Sequence, residues 1–307
     1  MKNTNSERTE KKMNFLLGIA IFALFVWTIL LINPSSYGQT YNETATLNTT
    51  VNITNSNPLV RLVTIENPVT LTAYSNKTVY CNTTIFDYDN DTISVNASLF
   101  YETSSPLAAN DQNDHYTNTS CTQTGRFNEQ MNYTCAFSVN YFANNGTWYC
   151  NVTAIDDDDA IGTNQSQGGI IEPLIAIRVP GILDFGNLVQ GQISENALAN
   201  ITNAGNRDTN LSVEGYAVTP GDLLAMNCSF GEIPLSFERY NATNSSNYDL
   251  MAQLSNDTTM IKDIFVPQRV DESLESINST YWKLQIPPAA GGVCNGKILF
   301  TATDRFG

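Results

Sequence analysis

The sequence has few charged side chains and very few basic ones. Charged residues make up 15% of 307 positions. Beyond residue 32 there are 11 bases against 28 acids, a net charge of −17 (11 − 28). Because no basic cluster occurs there, the sequence disfavours a nucleic-acid partner.

The chain also lacks recognisable catalytic motifs. Its single histidine, His115, follows Asp114 in a polar stretch, so we interpret it as a loop residue and not as a metal ligand or general base. Asp184-Phe185-Gly186 has the letters of the kinase triplet, but no glycine-rich nucleotide loop or catalytic-loop motif accompanies it. Paired carboxylates, as in a glycosidase, are the one catalytic arrangement left open. We therefore expect a protein that is not an enzyme.

Only one long uncharged hydrophobic run is present. Residues 15–32 contain no charge and span about 27 Å as a helix, close to the roughly 30 Å of a bilayer core. Four basic residues precede them, which predicts a cytoplasmic segment 1–14 and an extracellular segment 33–307. The expected location is the cell membrane, with a single span through residues 15–32. The small residues around Gly38 also suit signal-peptidase cleavage, in which case the chain would be secreted.

Acceptor motifs for N-glycosylation, Asn-x-Ser/Thr without proline at x, are far more frequent than chance predicts. Nineteen of 37 asparagines lie in such sequons, whereas random placement of Ser and Thr would give roughly seven. We expect glycans on an extracellular chain. The acceptors are Asn42, Asn48, Asn52, Asn76, Asn82, Asn90, Asn96, Asn118, Asn132, Asn145, Asn151, Asn164, Asn200, Asn210, Asn227, Asn241, Asn244, Asn256 and Asn278.

Short alternating segments, separated by Asn, Asp, Gly and Pro, predict an all-β chain with two Ig-like β-sandwich domains. We assign residues 33–57 to an Asn/Thr-rich glycosylated stalk, 58–162 to the first sandwich, 163–172 to a linker and 173–307 to the second sandwich. In the first sandwich, strands are expected over residues 59–65, 69–74, 78–86, 92–101, 131–142 and 147–155.

The sequons support these strands. A sequon places its asparagine and hydroxyl residue two positions apart, so in a strand both face one side and the middle residue faces the other. Six of these middle residues are mostly of types that prefer burial. They are Ala97, Tyr133, Val152, Ile201, Leu211 and Cys228.

Six cysteines in an extracellular chain predict three disulfides. Fifteen pairings are possible, and the sequence alone does not select one. We favour Cys81 with Cys150, Cys121 with Cys135, and Cys228 with Cys294. The first pair would join the strands near residues 78 and 147, with Trp148 beside it.

Two stretches resemble known modules. Cys81 together with residues 146–156, GTWYCNVTAID, resembles the F strand of immunoglobulin-like domains and the Val-x-Ala-x-Asp ending of PKD and cadherin-like modules. The chain departs from an immunoglobulin domain in having Trp148, not Tyr, two residues before the second cysteine. Residues 184–191 and 296–302 resemble the opening and closing strands of Ig-like modules in archaeal and bacterial surface glycoproteins. This resemblance implies a fold and no activity.

Seven aspartates follow two expected strands. Because the corresponding loops of an Ig-type sandwich lie at the same end, we expect these carboxylates to gather there. Such a cluster suits a weak Ca²⁺ site, and a solvated pair of acidic loops is the alternative. The pattern is not an EF-hand. Counting from Asp87, the sixth position is Thr92 where that loop needs Gly, and the twelfth is Ser98 where it needs Glu. The candidate ligands are Asp87, Asp89, Asp91, Asp156, Asp157, Asp158 and Asp159.

These observations predict a non-enzymatic, membrane-anchored extracellular glycoprotein with a structural or adhesive role. The alternatives are a subunit of a surface layer or fibre, and a ligand-binding, receptor-like module. The expected partners are other copies of the chain or other surface proteins. A subunit of an array would need a sheet edge without sequons, for which residues 173–179 are the candidate.

Overall fold

The computed structural model describes residues 46–244 and 247–306. The expected membrane segment, residues 15–32, lies outside them, as does Asn42. The described chain is built from β-strands and contains no α-helix, only two short 3-10 turns at Leu235–Phe237 and Tyr248–Leu250. Residues 46–58 form no strand, and the chain from Ile53 onward is one compact unit.

Nine strands form the first half. They are β1 (Leu59–Ile65), β2 (Lys77–Phe86), β3 (Thr92–Tyr101), β4 (His115–Asn118), β5 (Thr122–Phe127), β6 (Gln130–Val139), β7 (Gly146–Asp156), β8 (Ile161–Gln165) and β9 (Gly169–Ile171). One sheet has the order β1-β2-β6-β5 and the other β4-β3-β7-β8, with β9 also on β7. Lettered in chain order, these are sheets A-B-E-D and C′-C-F-G, the arrangement of an immunoglobulin sandwich.

The first core lies between these two sheets. Trp148, Cys150, Val152 and Ala154 of β7 are all fully buried, whereas the intervening residues are partly exposed. The indole N–H of Trp148 donates to the carbonyl of Asn144 at 2.7 Å, so this large side chain is buried with its polar group paired. Alternation along β7 therefore produces the burial that the sequence predicted.

Three disulfides link the described residues, with the pairing favoured from the sequence. Cys81–Cys150 joins β2 to β7 across the first sandwich, and Cys121–Cys135 tethers the start of β5 to β6. In the second half, Cys228 pairs with Cys294. None of the cysteines in the described part of the chain is free.

Eleven strands form the second half. They are β10 (Ile177–Arg178), β11 (Ala197–Asn203), β12 (Thr209–Tyr216), β13 (Leu224–Phe230), β14 (Glu232–Pro234), β15 (Glu238–Asn241), β16 (Ala252–Gln253), β17 (Thr259–Val266), β18 (Ile277–Leu284), β19 (Gly291–Asn295) and β20 (Lys297–Asp304). Their sheets have the orders β10-β11-β18-β15-β16, β17-β12-β20 and β14-β13-β19.

A second, separate core fills this half. Trp282 is fully buried, with its ring centroid 5.2 Å from that of Tyr240 and 5.9 Å from that of Phe300. The ring N–H of Trp282 donates to the hydroxyl of Thr280. Residues from the five-stranded sheet and from β12, β17 and β20 meet in this cluster, so the second half is also layered.

A polar junction connects the two halves. The side-chain amide of Asn113 donates to the carbonyls of Phe142 and Arg269, at 2.8 and 3.1 Å. Gln268 also donates to the carbonyl of Phe142, and Arg269 donates to the hydroxyl of Tyr141. The segment after β17 is thus hydrogen-bonded to the loop before β7.

Strands β4 and β5 form where no strand was expected, and three segments that were assigned from the sequence also differ. Residues 69–74 form only isolated bridges, because a turn joining Thr72 to Ser75 interrupts the pairing of Val69 with Ile171. Residues 163–172, expected as a linker, contain the end of β8 and all of β9, and Ile171 lies in the first core. In the candidate edge 173–179, only β10 is a strand; it is a short edge strand paired with β11.

The disulfides give a testable ranking of stability. Replacing Cys81 and Cys150 with alanine should lower the free energy of unfolding by about 4 kcal/mol, because a long loop is released in the unfolded chain. The same change at Cys121 and Cys135 should cost about 3 kcal/mol, since its loop is much shorter. Urea unfolding followed by tryptophan fluorescence measures both, and a larger loss for the short loop would contradict the ranking.

Candidate metal centre

Two loops meet at one end of the first sandwich. The loop after β2 contains Asp87, Asp89 and Asp91, and the loop after β7 follows Asp156. Strands β3 and β7 are neighbours, and Thr92 is the register partner of Asp156. The two acidic loops are therefore adjacent, as the immunoglobulin order of the strands requires.

Asp87 fixes the first loop. One carboxylate oxygen accepts from the backbone N–H of Asn90 at 3.0 Å, and the other accepts from the N–H and the hydroxyl of Thr92, both at 2.7 Å. The residue is fully buried. Burial opposes ionisation, but the hydrogen bonds from Thr92 and Asn90 outweigh it and hold the pKa of Asp87 below its usual range.

Asp156 fixes the second loop in the same way. Its Oδ1 accepts from the N–H groups of Asp158 and Ala160, at 3.1 and 2.7 Å. The side chain is fully buried, and its Oδ2 has no hydrogen-bond partner in the described chain. A buried carboxylate oxygen without a partner is costly, which makes it a candidate for binding a cation or water.

The carboxylates of the first loop are close enough to share an ion. One oxygen from each of Asp87, Asp89 and Asp91 lies within 4.8 Å of the others, and the described residues contain no second group of this kind. Asp91 also hydrogen-bonds with Asp157 of the second loop. Loss of solvation, this hydrogen bond and the charges of neighbouring aspartates raise the pKa of Asp91 to about 7.

The remaining expected ligands lie elsewhere in the second loop. Asp158 is exposed and accepts a hydrogen bond from the side chain of Asn55 at 3.2 Å. Asp159 is exposed, with a positive φ of 64° at the turn into β8. Neither belongs to the close group. The structure thus groups Asp87, Asp89 and Asp91, links Asp91 to Asp157, pairs the backbone of Asp156 with that of Thr92, and leaves Asp158 and Asp159 outside the group.

The oxygens available fit a loosely held hard cation. Ca²⁺ takes six to eight oxygens at flexible positions, often including waters. Both oxygens of Asp87 already accept hydrogen bonds, but Oδ1 of Asp91 and Oδ2 of Asp156 accept none in the described chain. A few carboxylate oxygens completed by water would give weak, not tight, binding.

His115 is not the loop residue that the polar sequence around it suggested. It begins β4, is fully buried, and its ring stacks on Phe100 with 6.5 Å between ring centroids. Neither ring nitrogen has a hydrogen-bond partner among the described residues. The pairing of β4 with β3 places it there, and that pairing is not visible in the local composition.

Sequence reasoning also missed a cavity in the second half. It has a volume of about 590 Å³, and Glu238 forms part of its wall. Glu238 is 1% exposed, and its Oε1 has no partner in the described chain. Desolvation raises the pKa of Glu238 to about 8. Strand alternation could have indicated the burial of Glu238, since it lies two residues before the buried Tyr240 and therefore on the same face of β15.

Within the described residues, no helix is long and apolar enough to cross a membrane.

Comparison with known proteins gives little further information. No protein-family model matches the sequence, and no curated protein matches it. Among solved structures, the chain is similar to the C-terminal domain of the AgI/II polypeptide BspA of Streptococcus agalactiae, with 10% identity over 81% of this chain and 96% of that one, and a TM-score of 0.23. It is also similar to a marsupial T cell receptor, with 11% identity over 79% and 63% of the two chains and a TM-score of 0.23. At these scores, neither likeness indicates a function.

The raised pKa of Asp91 predicts a gain in stability from Asp91→Asn. The pKa of Asp91 is about 7 in the folded protein and 3.8 ordinarily, so between pH 3.8 and about 7 the folded protein binds the carboxyl proton more tightly than the unfolded chain does. Stability therefore falls as pH rises through that window, and the full loss is present at pH 8. Without divalent cations at pH 8, Asp91→Asn should raise the melting temperature measured by scanning calorimetry. Asp158→Asn is the matched control, and an equal effect of both changes would contradict the prediction.

Proposed function

We propose that this protein is a non-enzymatic, membrane-anchored extracellular glycoprotein with a structural or adhesive role at the cell surface. One observation carries the proposal. Of the 19 sequons, 18 lie within the described residues, and each of their asparagines is exposed or partly exposed. The buried asparagines of the described residues all lie outside sequons, and they are Asn113, Asn140, Asn203 and Asn206.

The acceptor sites occupy both sheets of the first sandwich. Asn82 and Asn132 lie on the sheet containing β2 and β6, and Asn96 and Asn151 on the opposite sheet. Glycans at these positions would cover the two broad faces, which leaves the ends and edges for contact with partners. A coated sandwich of this kind suits spacing, shielding and contact at its ends.

The disulfides support an extracellular location. Disulfides persist in oxidising compartments and are rare in the cytosol. The described chain contains three, and Cys81–Cys150 is fully buried. Together with residues 15–32 and the basic residues before them, they support a single-pass topology with residues 33–307 outside.

A second candidate function is a subunit of a surface layer or fibre. Several edge strands of the described sheets, including β5, β10 and β20, contain no sequon and have a strand partner on one side only. A free edge of this kind can pair with a strand of another copy. Electron microscopy of the purified protein separates the candidates, since ordered fibres or sheets would favour the array.

Protease treatment of intact cells tests the location. We expect peptides from residues 46–306 to be released and peptides from residues 1–14 to stay protected, because the basic N-terminus is expected inside. Mass spectrometry of the released peptides should find glycans on sequon asparagines such as Asn82 and Asn151. Protection of both regions, or released peptides whose sequons all lack glycans, would contradict the proposal.

We also propose that the acidic end of the first sandwich binds one Ca²⁺ ion weakly and becomes stiffer when it does. The group formed by Asp87, Asp89 and Asp91, the link from Asp91 to Asp157 and the unpartnered oxygen of Asp156 support this. Repulsion among these carboxylates is relieved by a divalent cation. An affinity of roughly 0.1 to 1 mM is typical of extracellular modules.

Calcium binding should depend on pH because the ion must displace the proton of Asp91. Calorimetric titration of the full-length protein should give one site whose affinity falls about tenfold per pH unit below pH 7. Asp91→Asn should weaken binding strongly, and Asp158→Asn should leave it nearly unchanged. Absence of both binding heat and a shift in melting temperature at millimolar Ca²⁺ and pH 8 would refute the site.

A further inference from the structure

The cavity in the second half is lined mainly by the two longest stretches without glycan acceptors within the described residues. No sequon occurs between Asn164 and Asn200, or after Asn278. The cavity is lined mainly by residues 179–185 and 294–300, which fall in these two stretches, and none of its lining residues is an acceptor. No glycan would therefore be attached to a residue of the cavity wall itself.

The cavity wall combines an apolar surface with one buried acid. Phe185, Met226 and Phe300 supply apolar and aromatic surface, and Glu238 supplies a carboxyl whose Oε1 has no partner in the described chain. The volume of about 590 Å³ lies in the range of small-molecule sites. A buried polar group without a partner, on a residue in the wall of a cavity of this size, marks a place where a ligand would supply the missing interaction.

Other ionisable groups around the cavity determine which charge the ligand should carry. Asp184 and Lys297 line the cavity, and the Lys297 ammonium lies 5.4 Å from the centre of the Tyr216 ring. Tyr248 lies close enough for the charge of Glu238 to affect its titration. Two carboxyl groups against one ammonium leave an excess negative charge once Glu238 ionises, so a cation is favoured over an anion.

We propose that this cavity binds a small molecule that carries a cationic amine on an apolar body. The ammonium would pair with the Glu238 carboxylate, and the body would pack on Phe185, Met226 and Phe300. Aromatic walls suit such a ligand, because ring faces attract cations and ring bodies pack on apolar groups. This site goes beyond the structural role proposed above and does not depend on it.

The proposal predicts a proton linkage. Burial keeps Glu238 protonated up to about pH 8, so an amine that pairs with its carboxylate must displace one proton. An alkylamine remains protonated below about pH 9. Its affinity should therefore rise about tenfold per pH unit from pH 6 to 8 and then level off.

Calorimetric titration of the full-length protein with phenethylamine tests this, with 2-phenylethanol as the neutral analogue of the same shape. We expect one amine site with the stated pH dependence, and weaker, pH-independent binding of the alcohol. Repeating the titration in buffers of different ionisation enthalpy counts the proton released. Equal binding of amine and alcohol at pH 8, or no proton released, would overturn the proposal without any variant.

Glu238→Gln provides the second arm. This variant keeps the size of the side chain and should fold well at pH 6, where Glu238 is already uncharged. It should weaken amine binding at pH 8 more than tenfold and abolish its pH dependence, whereas Glu232→Gln, an exposed neighbour on β14, should do neither. Amine binding that is unchanged in Glu238→Gln would refute the role of the carboxyl.

Discussion

The two-residue period of the β-strand is the constraint on which the rest of this structure depends. It places one side of each strand in a core and leaves the other side for solvent, and a sequon has the same period. The middle residues Ala97, Val152, Ile201 and Leu211 are buried, while Tyr133 and Cys228 are partly buried against the two cores. A chain with so many acceptor sites can therefore fold with its apolar and glycan-bearing positions on opposite faces.

The two-residue period does not extend into the loops after the strands. In the two acidic loops, buried carboxylates hold the backbone in place by accepting hydrogen bonds. Asp87 and Asp156 each bind backbone N–H groups of their own loops and so fix two turns side by side. Fixing these turns forces Asp89, Asp91 and Asp157 together, because they lie in the same loops. The raised pKa of Asp91 is thus a consequence of loop geometry. The same crowding of carboxylates is what would favour a cation at this end of the sandwich.

Strand positions that depend on the local alternation of residues were predictable from the sequence. Burial and side-chain groupings that depend on contacts between distant residues were not. Residues 59–65 and 92–101 match β1 and β3, and the alternation in β7 was visible in Trp148 and Cys150. The burial of His115 was not predictable, because a polar stretch pairs with β3 only through the tertiary fold. The distinction between Asp91, which joins the acidic group, and Asp159, which does not, requires the turn geometry.

Glu238 shows most clearly how local and tertiary information differ. Its place in β15 fixes the face on which it lies, but only the packing of β12, β13 and β20 around that face leaves a cavity beside it. A carboxyl at this position opposes folding when ionised, since burial alone raises its pKa. Both oxygens of the buried Asp87 accept hydrogen bonds within its own loop, whereas Asp156 and Glu238 each have one oxygen without a partner in the described chain. A buried acid with both oxygens satisfied, as in Asp87, serves only to order the fold, whereas an unsatisfied oxygen leaves Asp156 and Glu238 open to a ligand.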